Sequence, residues 1–151
     1  MDGQGRKFFA KAKKGMRLLP YLPTALLWMS VVEVAVRTTP IDKSSKFLGV
    51  PLDTANTFAP RPDVTLKLTS WQEGQLRALG AVARRWPFAD GPCLRQSLAA
   101  GRIIRNHHPV LRLGVATESG LQAHAWVVVD GTIIGETRNF TPLVRNSDPS
   151  A

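Results

Sequence analysis

Cysteine 93 and histidine 124 are the residues whose types could do chemistry together. Cys93 is the single cysteine of the chain and follows Gly91-Pro92, a pair that places proline at the first position of a helix. Exposed amide N–H groups and the dipole at a helix start favour negative charge, so a thiol there ionises more readily than a free one. A lone cysteine is otherwise a small buried apolar residue, and a core position has no special reason to fall at a helix start. His124 sits in Gln122-Ala123-His124-Ala125-Trp126, where two alanines leave space around the imidazole. It is either a satisfied core residue or a site residue, and beside a thiol it would act as base and then acid. His107 and His108 precede Pro109 at a helix C-terminus, where histidines suit the dipole and face water. No pair of these residues shows ligand spacing such as HxxxH, so no metal site is expected, and no cofactor.

A cysteine–histidine pair needs a third group to hold the imidazole. Asp130 lies six residues after His124, roughly 20 Å along an extended strand, and reads better as a turn residue. Glu136 would fold back beside His124 on a return strand. A two-residue Asp130-Gly131 loop pairs Ala125 with Glu136, on the wrong face. A three-residue loop with a bulge pairs Trp126 with Glu136 and puts the carboxylate on the face of His124. Glu136 as orienter therefore requires a bulged turn at 130–132. Glu118 is the fallback.

The elements that must carry these residues are legible in part. Ser70-Trp71-Gln72-Glu73 has the form of a capping box and opens a helix to about Arg85, ended by Pro87. A second helix runs from about Cys93 to Asn106, with Leu94, Leu98, Ile103 and Ile104 facing a core. The period then changes to two. Val110–Ala116 and Gln122–Val129 read as strands around a Glu118-Ser119-Gly120 turn. Asp130-Gly131 is a strong hairpin signal before a return strand at Thr132–Thr137. The tail from Asn139 reads as loose. Helix, helix, then antiparallel strands predicts an α+β fold. Asp53–Asp63 reads as loop, which divides the chain into an N-terminal region, 1–63, with a basic arm and a helical part, and a core, 64–151.

At 151 residues the chain holds one domain's worth of sequence. A single cysteine excludes an intrachain disulfide scaffold, and the cytosol is the natural compartment. The net charge is +9, with a dense share on Arg6, Lys7, Lys11, Lys13, Lys14 and Arg17. That arm reads as solvated, while Phe8 and Phe9 keep peripheral membrane contact through residues 1–37 open. Thr24–Val36 is the most apolar run and contains Glu33. A spanning helix needs about 20 apolar residues, so this run reads as a buried or partner-facing helix, with Leu26, Leu27, Val31, Val34 and Ala35 near helical spacing. No RNA-binding or helix-turn-helix pattern accompanies the charge, so no nucleic acid is expected.

A cysteine on a helix start followed by a histidine on a strand is a layout shared by papain-like and transglutaminase-like proteins. The segment Arg84–Gly131 is more specific. Arg85-Trp86-Pro87-Phe88, Cys93-Leu94-Arg95-Gln96-Ser97-Leu98, Leu113-Gly114-Val115 and His124-Ala125-Trp126-Val127 with Asp130-Gly131 resemble the transglutaminase-like leader peptidases of lasso peptide biosynthesis. The resemblance covers about a third of the chain. It implies a transglutaminase/papain-like cysteine protease core with an N-terminal helical extension, which removes the leader from a ribosomally made precursor peptide before a separate ATP-dependent lasso cyclase closes the ring. By that resemblance Cys93 is the nucleophile, His124 the base and acid, and Glu136 stands where the family usually has aspartate. Trp126 would pack near the site as substrate or oxyanion neighbour, or be a core aromatic. Gln96, often arginine in the family, would be surface or touch substrate. A separate leader-recognition protein is implied as partner, with the apolar helix at 24–37 as its docking surface. Two rivals stand: an acyltransferase on the same fold, which an amide-forming product would reveal, and a basic nucleic-acid or membrane-surface protein indifferent to Cys93.

Overall fold

Pro23 sits in the first turn of the first helix, where its missing N–H costs nothing. In the computed structural model, which describes residues 18–53, 66–88, 92–116, 122–134 and 141–142, a 3-10 turn at Leu19–Tyr21 leads into α1, Leu22–Thr38. A short α2, Ile41–Phe47, follows Pro40. Then come α3, Ser70–Ala83, and α4, Pro92–Ile103. Strands β1, Val110–Ala116, β2, Gln122–Val129, β3, Thr132–Ile134, and β4, Thr141–Pro142, complete the described chain. They form one antiparallel sheet in the order β3-β2-β1-β4. Helices precede strands, so the α+β expectation holds.

Several local expectations are corrected. The cap of α3 is Thr69 with Gln72, not Ser70 with Glu73. Both pairs have capping-box spacing. Gln72 is buried, and its amide also donates to Asn106 Oδ1 at 3.0 Å, whereas Glu73 turns outward to Arg77. Helix α2 was not foreseen. It is held by Ser44, whose hydroxyl donates to the Ala35 carbonyl at 3.0 Å and is 2.6 Å from the Thr39 hydroxyl. Of the tail expected to be loose, the two described residues, Thr141 and Pro142, pair with Val115 and Gly114 of β1, since an open strand edge offers unpaired backbone groups.

Helix α1 has both a buried side and an open apolar side. Ala25, Met29 and Val32 are buried against the core, while Leu26, Leu27 and Val34 are 49%, 58% and 61% exposed. The helix is longer than its most apolar run: Leu19–Thr38 spans 20 residues at mean hydropathy 1.5. Length alone therefore does not exclude a membrane span. Its packing against α3 and α4 and its buried, paired Glu33 make it a core helix with one bare apolar side. The core is continuous across the proposed 63/64 boundary: Ala25, Met29 and Val32 share it with Ala78, Leu79, Leu98 and Leu111. That boundary itself falls outside the described residues.

Candidate active site

Sheet register sorts the strand residues into two faces, since side chains alternate along a strand and residues paired across strands share a side. Leu111 pairs with Val127, Leu113 with Ala125, and Ile134 with Val127. These line the face against the helices, and Val129 joins them in the core. The other face carries His124 opposite Gly114, Trp126 opposite Arg112, and Val128 opposite Val110. Gly114, opposite His124, brings no side chain of its own to that position.

Cys93 lies in the first turn of α4, as expected, and is half-buried with a free thiol. Helix α4 lies on β2. Its crossing point is marked by the buried Ser97 hydroxyl, which donates to the Ala125 carbonyl at 2.9 Å. Cys93 is one turn before Ser97 on the same side of the helix, and His124 is the residue before Ala125. The structure thus puts Cys93 and His124 on two packed elements, α4 and β2, with His124 in phase with the sheet face turned away from the helices. His124 is half-buried. The Trp126 ring stacks with it, centroids 6.1 Å apart at 23°, so Trp126 sits next to the histidine as expected. Trp126 is 3% exposed, and its Nε1 is, among the described residues, the buried side-chain donor without a partner. Gln96 is exposed beside Gly80 of α3, which fits its surface reading.

The third group stands differently. Asp130 and Gly131 have φ of 48° and 82°, the positive values that a two-residue type I′ loop needs at both centres. Val129 pairs with Thr132 directly across them. The bulged turn required for Glu136 is therefore absent: Asp-Gly closes the hairpin without a third residue. Asp130 is an exposed turn residue, as expected. Glu136, Glu118 and the basic arm lie outside the described residues.

Sequence reasoning missed the ionic supports. Arg112, behind Trp126 on the His124 face, is 3% exposed and pairs with Asp53 at 2.9 Å, tying the chain after α2 to the sheet. Arg95, two residues after Cys93, forks onto Glu33 of α1, with Nε to Oε2 at 2.5 Å and Nη2 to Oε1 at 3.2 Å. The signal for the second was a lone carboxylate in an apolar run. Two open apolar grooves flank α1: one of about 570 Å³ lined by Val31, Val34, Ala35 and Phe47 among others, and one of about 300 Å³ near Leu26 and Trp86. Neither is lined by Cys93 or His124. Among the described residues no cluster of His, Cys, Asp and Glu could hold a metal ion.

Residues 30–145 match the family model of the transglutaminase-like superfamily. No curated protein and no solved structure matches the chain.

Proposed function

The chain belongs to the transglutaminase-like superfamily, which includes cysteine peptidases and acyltransferases, and we propose that it is a cysteine peptidase that removes the leader from a lasso precursor peptide. The observation that carries this reading is the Ser97–Ala125 hydrogen bond, which docks the Cys93 helix onto the strand of His124. The motif around both residues supports the substrate class. In this reading the Cys93 thiolate attacks the carbonyl carbon of the last leader residue. The carbonyl oxygen becomes an oxyanion, for which amides at the start of α4 are donors. His124 gives its proton to the departing amine of the core peptide as the C–N bond breaks. Water, deprotonated by His124, then releases the leader from the thioester.

Glu136 is the proposed orienter of His124, with the register stated above against it. Glu136→Gln tests the role: a rate within twofold of wild type would end it. A leader-recognition protein would deliver the substrate, and the bare side of α1 at Leu26, Leu27 and Val34 offers it an apolar surface. The cytosol is the proposed compartment.

The deciding measurement is mass spectrometry of the precursor peptide after incubation, with and without the recognition partner, beside Cys93→Ala. One cut, lost in the variant and accelerated by the partner, is expected. A product carrying a new amide in place of a free carboxylate would make the chain an acyltransferase. Uncut peptide under every condition, with Cys93 alkylated no faster than a model thiol, would overturn the reading.

A further inference from the structure

Helix α4 is gripped on two opposite sides. With 3.6 residues per turn, Ser97 stands about 40° around the helix from Cys93, and Arg95 about 200°. Ser97 holds the sheet side. Arg95 holds the far side, against α1. A cation in the first turn of a helix opposes the helix dipole, yet Arg95 is there and its side chain is only 12% exposed. Its charge is answered by Glu33, itself 7% exposed. The same carboxylate accepts from Trp86 Nε1 at 3.0 Å and pairs with Arg37 Nε at 2.6 Å. One buried carboxylate thus collects donors from three places: its own helix, the segment after α3, and the first turn of α4. The bonds from Arg95, foremost, hold its carboxyl at about 2, against burial that would raise it.

Stability alone does not call for this arrangement. Replacing a buried ion pair by packed apolar side chains is often neutral or stabilising. What an arginine–carboxylate fork supplies is geometry, since its two parallel hydrogen bonds accept one relative orientation. Trp86 adds a second contact to the same carboxylate, from the segment that follows α3. Its ring meets Phe88 edge-on at 5.8 Å, and Arg37 lies over Phe88. The network therefore joins the segment after α3 to the first turn of α4.

We propose that Glu33 is a positioning residue for the Cys93 nucleophile: through Arg95 and Trp86 it sets the rotation of the first turn of α4, so that the thiol faces the strand of His124. The inference rests on Cys93 being the nucleophile. It also gives α1 a role in the site, since the helix whose outer side is bare apolar surface holds the nucleophile helix from its inner side.

The test compares Glu33→Gln, Arg95→Lys and Trp86→Phe with wild type, at a temperature well below each melting midpoint. Two readouts are taken: steady-state cleavage of the precursor peptide, and alkylation of Cys93 by iodoacetamide across pH, which needs no substrate. Glu33→Gln is expected to lower kcat roughly 10- to 100-fold with KM nearly unchanged, the signature of a misplaced reacting group. Its alkylation at a fixed pH is expected to change measurably from wild type. Arg95→Lys, which keeps charge but not the fork, falls in between. A folded Glu33→Gln with unchanged kcat and alkylation overturns the proposal and leaves the network structural only. If Glu33→Gln does not fold, unchanged values in both Arg95→Lys and Trp86→Phe overturn it instead. If wild type does not cleave the peptide, the peptidase reading fails and the alkylation series alone decides the positioning role.

Discussion

The two faces of the sheet differ although the same strands build both. The face toward the helices is aliphatic: Leu111, Ala125, Val127 and Val129 are at most 3% exposed and belong to the core. The face one residue out of phase holds His124, Trp126, Arg112 and the bare Gly114. Alternation lets one strand do two jobs, because a change on one face leaves the side chains of the other in place. Packing dictates the first face. The second carries a stacked histidine and tryptophan, a buried ion pair and an indole N–H without a partner among the described residues, features that packing alone would select against. That contrast marks the His124 face as the one that packing alone does not explain.

If the contrast holds, the largest effects come from the nucleophile and from the polar face. Cys93→Ala and His124→Ala should each lower peptide cleavage by roughly a thousandfold or more, with melting midpoints close to wild type. An unfolded His124→Ala would make the histidine a core residue and erase the division. On the aliphatic face the pattern inverts. Leu111→Ala opens a cavity in a fully buried position and should cost about 2–5 kcal/mol in denaturant titration, while activity per folded molecule stays near wild type. A large kcat loss there in folded protein would show that the faces are not independent.

Ser97→Ala probes the seam between them. The hydroxyl bonds the backbone of Ala125, on the strand that carries both faces. Losing it should cost about 1 kcal/mol of stability. It should also lower kcat several-fold, because α4 loses its marked contact with β2 one turn from Cys93. A stability loss without any rate loss would mean that the bond only packs the helix and does not register it.

Where local signals were unambiguous, the fold was readable beforehand. Period-two alternation and Asp130-Gly131 give β1, β2 and the start of β3 within a residue, and Gly91-Pro92 gives the start of α4. Ambiguity came from overlapping signals. Thr69 and Ser70 each have a capping partner three residues on, and the burial of Gln72, a tertiary effect, decides between them. Helix α1 is apolar all round, so periodicity cannot say which side is covered. Ala25, Met29 and Val32 go inward because Glu33, beside them, is claimed by Arg95, 62 residues away. Helix α2 has too little apolar pattern to be seen, and β4 is two residues long. Cys93, His124 and Trp126, which stacks on His124, stood out because their residue types are rare in those settings. Their supports, Glu33, Arg95 and Asp53, were not, because an ion pair is a relation between distant positions.

The smallest predicted effect concerns the support that lies off the sheet altogether. The Glu33 carboxyl is lowered from 4.5 to about 2, foremost by the hydrogen bonds from Arg95, then by Trp86 and Arg37, against burial that raises it. A carboxyl whose folded value lies below its unfolded one binds fewer protons in the folded state. Its stabilisation is therefore complete above about pH 4.5 and drains away as pH falls toward about 2. Wild type should lose melting temperature across that window faster than Glu33→Gln, which has no proton to take up there. Every other carboxylate is common to both proteins, so the difference between the two curves isolates this one. The gap should be widest at about pH 5 and shrink by about pH 2.5. An equal gap at both ends would mean that the carboxylate acts by shape rather than charge. The fork to Arg95 would then be no tighter in the folded protein than a neutral amide could make it, and α4 would be held from the sheet side alone.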